Sequence, residues 1–423
     1  MTKKSDAPAI RFKGFSDAWE QRKLGELVDR VVRKNTNNES TLPLTISAQY
    51  GLVDQITYFN NRVASRDVSN YYLVLNGEFA YNKSTSDGYP FGAVKRLDLY
   101  EKGVLSTLYI VFAPKKEQQI DSDYLTVFFD TDRWHKGVAE RAAEGARNHG
   151  LLNISAEDFF DIDLSVPKDI VEQKQIGAFI RQLDNLITLH QRKFEKLTNV
   201  KKSMLEKMFP QNGSSYPEIR FKGFTDPWEQ RKLAELTKTI TTGKSVNSDE
   251  GEVSDGDIGV LKTSCVSYDR FNPSESKPVV KSEQQLVKCA VEKDSVIVSR
   301  MNTPERVGAC GYVSTDFPNL FLPDRLWKLK FQDTVDTYFV YMMLVSSAYK
   351  EKITSMASGT SGSMYNIPKE TFLNLQLVIP AKIDEQKQLG RILKKIDSLI
   401  TLHQRKLEKL QNIKKSCLEK MFV

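Results

Sequence analysis

Glu172–Phe209 reads EQKQIGAFIRQLDNLITLHQRKFEKLTNVKKSMLEKMF, and Glu385–Phe422 reads EQKQLGRILKKIDSLITLHQRKLEKLQNIKKSCLEKMF. The two stretches are identical at 26 of 38 positions. Neither contains proline, and both are rich in Lys, Glu, Gln and Leu, which favour the helical conformation. We therefore predict two long helices, each roughly 55 Å in length at ~1.5 Å per residue.

Apolar residues recur at alternating steps of four and three in both stretches, which is typical of a narrow coiled-coil seam. A helix of this length with such a seam needs a partner, and the other copy is the obvious one. We predict that the two helices pair in antiparallel orientation. The predicted seam contains Ile180, Leu183, Ile187, His190, Phe194, Leu393, Ile396, Ile400, His403 and Leu407.

Polar residues interrupt the seam at matching places, namely His190 and Lys201 in the first copy and His403 and Lys414 in the second. In a fully overlapping antiparallel pair the two histidines would meet at the centre. We favour the interpretation that they set the register, as polar seam residues do in other coiled coils. A metal site or a proton switch is the alternative, although two histidines alone make a poor metal site.

A second repeated stretch precedes each helix at a distance. Ile10–Leu27 reads IRFKGFSDAWEQRKLGEL and recurs as Ile219–Leu236, IRFKGFTDPWEQRKLAEL, with 15 of 18 positions identical. We call this stretch the opening motif, and we predict that its Trp19 and Trp228 anchor it in a hydrophobic core. The chain is therefore a tandem duplication of an opening motif, an insert and a long helix.

The duplicated order predicts a mixed α/β protein in which two globular domains are separated by two long helices in an antiparallel coiled coil, related by a pseudo-two-fold. Both inserts alternate apolar and polar residues as strands do. Strands are predicted within Tyr71–Lys83, Leu108–Pro114, Ala290–Arg300 and Leu326–Phe331, and single helices near Asp123–Glu144 and Asp336–Met356. The predicted boundaries are 1–171 for the first domain, 172–209 for its helix, 210–218 for a linker, 219–384 for the second domain and 385–423 for its helix.

The net charge of +7 is concentrated in the two long stretches. The first carries eight Lys and Arg against four Asp and Glu, and the second carries ten against four. Such an excess on paired helices indicates a polyanion or an acidic partner nearby. We predict a cytoplasmic protein, because the N-terminus lacks an apolar run, no stretch approaches 18 apolar residues and the four cysteines form no CxxC pair.

Sequence signatures of catalysis are missing. The chain contains no P-loop, GxGxxG, HExxH or GxSxG motif, and no Pro-Pro pair as in the Asn/Asp-Pro-Pro-aromatic signature of amino-methyltransferases. Its four histidines are scattered. We therefore predict that this chain catalyses nothing itself and holds neither a metal nor a cofactor.

Three polar loops recur at matching places in the two inserts. They combine the side chains that contact base edges and phosphates. The same residues are common in ordinary turns, but their recurrence in otherwise divergent inserts favours DNA binding. The candidate DNA-binding residues are Gln49, Tyr50, Asn82, Lys83, Ser84, Arg147 and Asn148 in the first insert, and Thr263, Ser264, Tyr268, Arg300, Asn302, Arg306, Ser361, Ser363 and Tyr365 in the second.

The repeated RFKGF(S/T)D(A/P)WEQRKL motif and the repeated EQKQ…LITLHQRK helix resemble the specificity (S) subunit of Type I restriction-modification enzymes over essentially the whole chain. This resemblance implies that each insert is a target-recognition domain that reads one half of a bipartite, asymmetric DNA site. The helices would then set the spacing between the half-sites.

The same resemblance implies partners. Two adenine-N6 methyltransferase (M) subunits would dock on the helices, and motor-nuclease (R) subunits would join through the complex of two M subunits with one S subunit. S-adenosylmethionine, ATP and Mg²⁺ would then bind to the partner subunits. The alternative is a non-catalytic coiled-coil scaffold whose two domains bind proteins and never touch DNA.

Overall fold

The structure, a computed structural model, describes residues 7–47, 50–86, 88–142, 150, 152–211, 213–268, 270–361 and 364–423. The chain divides into two compact units: Met1–Gln191 with Gln404–Val423, and Arg192–His403. Both divisions fall inside the long helices, so each unit holds the first half of one helix and the second half of the other. The domain boundaries drawn from the sequence follow the order of the repeats and stay a prediction.

The first repeat contains ten strands and six helices among its described residues. Its strands are β1 (Glu20–Lys23), β2 (Val28–Arg30), β3 (Leu44–Ser47), β4 (Gly51–Asp54), β5 (Tyr72–Leu75), β6 (Phe79–Asn82), β7 (Ala93–Arg96), β8 (Lys102–Leu105), β9 (Ile110–Pro114) and β10 (Asp163–Val166). Its helices are α1 (Leu24–Leu27), α2 (Gln55–Phe59), α3 (Ser122–Phe128), α4 (His135–Arg141), α5 (Ala156–Phe160) and the long α6 (Ile170–Lys207).

Among the described residues, the second repeat has more strands than the first. They are β11 (Glu229–Lys232), β12 (Thr237–Thr242), β13 (Gly259–Leu261), β14 (Val266–Ser267), β15 (Arg270–Phe271), β16 (Ser276–Pro278), β17 (Ala290–Val291), β18 (Ser295–Ser299), β19 (Met301–Asn302), β20 (Cys310–Val313), β21 (Phe317–Phe321), β22 (Leu326–Phe331), β23 (Ser358–Ser361), β24 (Met364–Asn366) and β25 (Gln376–Ile379). The helices are α7 (Leu233–Leu236), α8 (Thr337–Leu344), α9 (Ser347–Ser355), α10 (Lys369–Leu373) and the long α11 (Ile383–Lys420), with 3₁₀ turns at Thr263–Cys265 and Lys281–Leu286.

A four-stranded antiparallel sheet forms the centre of each unit, with the order β2-β9-β6-β7 in the first and β12-β22-β18-β20 in the second. Alternate residues of a strand point to opposite faces. Phe79 and Tyr81 accordingly join the core under the helices, while Ala80 joins a second core under the β3–β4 hairpin. Both faces are therefore buried, and the predicted mixed α/β architecture is confirmed.

The prediction of one helix after the central strands is wrong in both repeats, because α3 and α4, and likewise α8 and α9, are separate helices. A side-chain hydroxyl follows each first helix. Thr131 Oγ1 donates to the carbonyl of Phe128 (2.6 Å), and Ser346 Oγ donates to the carbonyl of Met343 (2.7 Å). Hydroxyls that satisfy these last carbonyls give the backbone an alternative to continued helix.

The opening motif lies in the core of each unit. Its strand β1 pairs with the last strand of the insert, β10, and β11 pairs in the same way with β25. Trp19 and Trp228 are 6% and 3% exposed and pack among the core residues. The prediction that these tryptophans are core anchors is confirmed.

A buried ion pair joins the opening motif to the first turns of each long helix. Arg11 donates to both oxygens of the Glu172 carboxylate (2.6 and 2.8 Å), and Arg220 does the same to Glu385 (2.7 and 2.8 Å). Both glutamates are 1% exposed. Trp228 Nε1 also donates to Glu385 (3.2 Å). Bidentate pairs of this kind have a strict geometry, so each pair holds the helix in a defined direction.

Within the first unit the two long helices run antiparallel. At the start of α6, Gln173 accepts a hydrogen bond from the backbone of Asp121 (2.8 Å), three residues before Tyr124. The ring of Tyr124 stacks on Phe422, just beyond the end of α11, with centroids 5.6 Å apart. Further along α6, Asp184 pairs with Lys414 (2.7 Å). Residue numbers thus rise along one helix while they fall along the other.

The second unit repeats this arrangement with the helices exchanged. Phe209 stacks on Phe339 with centroids 5.6 Å apart, and Lys201 pairs with Asp397 (2.7 Å). The polar seam lysines therefore have carboxylate partners in both units.

These ion pairs indicate the register of the seam. They fit an alignment in which Leu183 faces Lys414 in the first unit and Ile396 faces Lys201 in the second. Ile187 then lies next to Gln411 and Lys414, with which it lines a common pocket. The expectation that His190 lies opposite His403 concerns residues of different units and stays a prediction.

The seam residues differ in how far they are shielded from solvent. Ile180, Leu183 and Leu393, which lie in the first half of each long helix, are buried. The remaining seven are partly exposed: Ile187, His190, Phe194, Ile396, Ile400, His403 and Leu407.

We predict that Glu385→Gln lowers the free energy of unfolding by about 3 kcal/mol, because it leaves the Arg220 charge in a buried site without its counter-charge. Urea unfolding followed by circular dichroism measures this loss. The matched control is Glu235→Gln, which removes a carboxylate from the solvent-exposed Arg231–Glu235 pair and should leave the urea midpoint nearly unchanged. Equal shifts of the urea midpoint in the two variants would contradict a stabilising role for the buried Arg220–Glu385 ion pair.

The register predicts which engineered cysteines cross-link. In a background without the native cysteines, Ile187→Cys with Leu410→Cys should form a disulfide rapidly, because these positions face each other in the alignment above. Ile187→Cys with Leu407→Cys, which the full-overlap register would favour, should react more slowly. Cross-linking is read on a non-reducing gel, and the reverse order of rates would exclude the proposed register.

Candidate nucleic-acid interface

In the first unit, two of the three predicted loops lie side by side. Leu152 donates its backbone N–H to the carbonyl of Lys83 (2.9 Å), and Thr85 donates to the carbonyl of Gly150 (2.7 Å). Lys83 Nζ also donates to the carbonyl of Ile154 (3.4 Å). The loop after β6 is therefore joined to the loop before α5.

The remaining candidates of the first unit occupy the tips of strands. Tyr50 lies in the turn between β3 and β4, where its side chain is 63% exposed. Asn82 ends β6, and its Oδ1 accepts from the backbone of Ser84 (3.0 Å), which holds the Ser84 backbone in a tight turn. Gln49, Arg147, Asn148 and, in the second insert, Ser363 lie outside the described residues, as does the side chain of Ser361.

All three predicted loops of the second unit come together. Asn302 Nδ2 donates to the carbonyl of Thr263 (3.5 Å), which joins the first loop to the second. Strands β19 and β24 pair, with Asn302 opposite Tyr365, which joins the second loop to the third. The structure thus brings together segments that lie about 100 residues apart along the chain.

A polar pocket of about 360 Å³ lies where the first and second loops meet. Two of its lining residues, Ser264 and Arg306, were predicted from the sequence. Cys265 and Ser267 lie in the predicted first loop but were not among the candidates, and the other lining residues were missed because they follow the end of that loop at Tyr268. The missed lining side chains are Ser267, Arg270, Asn272 and Glu275, with Cys265 beside them.

Several predicted residues already have hydrogen-bond partners inside the domain. Asn302 is 9% exposed, its Nδ2 donates to Ser299 Oγ (3.0 Å), and its Oδ1 accepts from the backbone of Thr303 (2.9 Å). Arg300 Nε donates to the carbonyl of Asp324 (2.8 Å). A base contact by Asn302 would require its internal bonds to break, so its placement favours a structural role. DNA contact by the candidates as a group stays a prediction.

Tyr268 is also held from two sides. Its hydroxyl donates to the carbonyl of Val307 (2.8 Å) and lies 3.1 Å from Thr354 Oγ1, while Lys350 Nζ sits 3.8 Å from its ring centroid. Burial raises the pKa of the Tyr268 hydroxyl, and burial likewise raises the pKa of the Cys265 thiol. Both groups therefore stay neutral at physiological pH, and the charges of the pocket come from its arginines and its glutamate.

Among the described residues, no group of three or more His, Cys, Asp or Glu side chains is placed to hold a metal ion. The four cysteines are free thiols. No helix in the described ranges is long and apolar enough to cross a membrane.

Comparison with known proteins identifies the family. Residues 17–199 and 225–412 match the family described as Type I restriction modification DNA specificity domain, once in each repeat. The chain is similar to the Type I restriction enzyme MjaVIII specificity subunit of Methanocaldococcus jannaschii, with 24% identity over 85% of this chain and 82% of the relative. It is also similar to the putative MjaX specificity subunit of the same organism, with 22% identity over 94% and 91% of the two chains.

A solved structure shows the same fold. The Type I restriction-modification S subunit from M. genitalium aligns with a TM-score of 0.63 at 14% identity, over 99% of both chains. Because the family match covers most of both repeats, the chain belongs to the Type I restriction-modification DNA specificity family and is a specificity subunit, a non-catalytic chain that recognises DNA.

Proposed function

We propose that each insert reads one half of a bipartite, asymmetric DNA site. The observation that carries this proposal is the convergence of the three second-unit loops on one polar surface that includes two exposed arginines, Arg270 and Arg306. Arginine side chains combine phosphate attraction with base readout. Since the first insert differs in sequence at the matching loops, we propose that the two half-sites differ as well.

The long helices set the distance between the half-sites in this proposal. Each contains 38 residues, which corresponds to about 57 Å at ~1.5 Å per residue. Half-sites one turn of B-DNA apart are separated by roughly 34 Å, so helices of this length suffice to separate two readers. Half-site spacing would then depend on the helices and not on the inserts.

We further propose that the helices dock two adenine-N6 methyltransferase subunits, through which motor-nuclease subunits join the complex in the cytoplasm. Leu189 in the first unit and its repeat equivalent Leu402 in the second lie outside the seam and are 45% and 44% exposed. An apolar residue exposed at the same place in both repeats suits a docking surface used twice. S-adenosylmethionine, ATP and Mg²⁺ then belong to these partner subunits.

Methylome sequencing tests the readout. Cells that express this chain with its methyltransferase partner should gain N6-methyladenine in a split, asymmetric motif, whereas cells that express the partner alone should not. Exchange of residues 237–375 for the insert of another specificity subunit should change one half of the motif and leave the other half unchanged. No new motif from a partner that is active with another specificity subunit would contradict the proposal.

Docking is tested by Leu189→Lys with Leu402→Lys. We expect loss of co-purification with the methyltransferase subunit, because lysine places a solvated charge where an apolar contact is proposed. Asn185→Lys with Ser398→Lys is the matched control, since it adds the same charge at other exposed positions of the same helices. Equal retention of the partner by both double variants would exclude these leucines as the docking surface.

A further inference from the structure

The polar pocket of the second unit contains a combination of charges that a simple phosphate site would not use. Arg270 and Arg306 line it together with Glu275. A carboxylate repels a phosphate group at short range, whereas two arginines alone would attract one. A ligand that matched these charges would offer a hydrogen-bond donor to Glu275 as well as acceptors to an arginine.

The carboxylate is fixed in position. Ser264 Oγ donates a hydrogen bond to Glu275 Oε2 (2.6 Å). The backbone of Glu275 is held as well, because its carbonyl accepts from the N–H of Lys262 (2.9 Å) and its N–H donates to the carbonyl of Asn272 (3.3 Å). Among the described residues, Oε1 has no hydrogen-bond partner within the chain. Oε1 is therefore the acceptor that Glu275 offers to a ligand, and the backbone that carries this side chain is held in place.

Arg306 is held by its backbone in a similar way. Its N–H donates to the carbonyl of Thr303 (3.0 Å), and its carbonyl accepts from Ala309 (3.1 Å). Arg270, Arg306 and Glu275 line the same pocket, and among the described residues none of the three takes part in an ion pair. The opposite charges thus line one pocket without neutralising each other, which leaves their hydrogen-bonding groups available to a ligand.

We propose that this pocket reads a guanine·cytosine pair in the half-site of the second insert, an inference that rests on the proposed function. On the major-groove edge, guanine offers its O6 and N7 acceptors to an arginine, and cytosine offers its N4 amine to a carboxylate. Arg306 contacts the guanine and Glu275 the cytosine. Arg270, at the start of β15, contacts the adjacent phosphate.

The decisive variant is Glu275→Gln. The amide oxygen still accepts from Ser264, so the local fold is retained, but glutamine also donates and pairs best with adenine. The holo-complex with the methyltransferase subunit is assayed for binding to duplexes that carry each of the four base pairs at each half-site position. We expect the preference for guanine·cytosine at one position to fall by about 10- to 100-fold, with the other positions unchanged.

Glu305→Gln is the matched control, because Glu305 is an exposed carboxylate next to Arg306 that does not line the pocket. It removes the same charge and should retain the wild-type preference at every position. Arg306→Lys is the second variant. Lysine keeps the positive charge but cannot form the bidentate hydrogen bonds of a guanidinium group. The preference for guanine at the same position should therefore fall by a similar factor.

Unchanged selectivity in Glu275→Gln, from a complex that assembles normally, would overturn the inference while the proposed function stands. If Glu275→Gln does not assemble, unchanged guanine preference in Arg306→Lys would overturn it instead. A wild-type complex that shows no split motif would overturn the proposed function, and this inference with it.

Discussion

The apolar seam of two 38-residue helices is the constraint on which this structure depends. A helix of that length has no core of its own and must bury the seam against another helix. Because the two helices run antiparallel, the end of each one reaches the domain that begins the other. Phe422 is consequently buried beside Tyr124, and Phe209 beside Phe339. Each unit is thus built from both repeats.

Charged groups convert this pairing into a defined geometry. Arg11 and Arg220 each hold the buried carboxylate at the start of a long helix, and Lys201 and Lys414 each reach an aspartate on the facing helix. Buried ion pairs add little net stability compared with apolar contacts, but an incorrect register that separates the partners is penalised severely. These ion pairs occur in both repeats, which agrees with an opening motif and a long helix that stay the same in each repeat while the inserts vary.

The long helices and the tandem order were predictable because their signal is local and periodic: Leu183, Leu393 and their neighbours recur every three or four residues. The breaks after α3 and α8 were missed because the only local feature that accompanies each one is a single hydroxyl, that of Thr131 or Ser346, in an otherwise helical stretch. The ion pair between Arg11 and Glu172 joins residues 161 positions apart, and no local pattern reports such a contact. The sequence did contain one signal for this contact, because Arg11 and Glu172 recur as Arg220 and Glu385 in the second repeat.

The candidate site was predicted in part for similar reasons. Loops at matching places in the inserts do meet in the second unit, where Asn302 contacts Thr263. Which side chains face outward could not be read from composition, since the asparagine that looked like a base reader is buried and bonded internally. Glu275 was overlooked because a single acidic residue in a loop carries no motif. The role proposed for Glu275 depends on Arg270 and Arg306, which the fold places around the same pocket.

Each unit contains the second half of the other repeat's long helix, and this has a consequence for folding during synthesis. Residues 404–423 complete the core around Trp19, yet they are synthesised after every residue of the second unit. Domains usually fold in order from the N-terminus as the chain leaves the ribosome, but here the first unit must wait for the end of α11. The second unit has all its residues once His403 has emerged, so it is the first that can finish folding. Until then Trp19 and Tyr124 remain without their final neighbours, and the nascent first unit is the part that needs protection from aggregation.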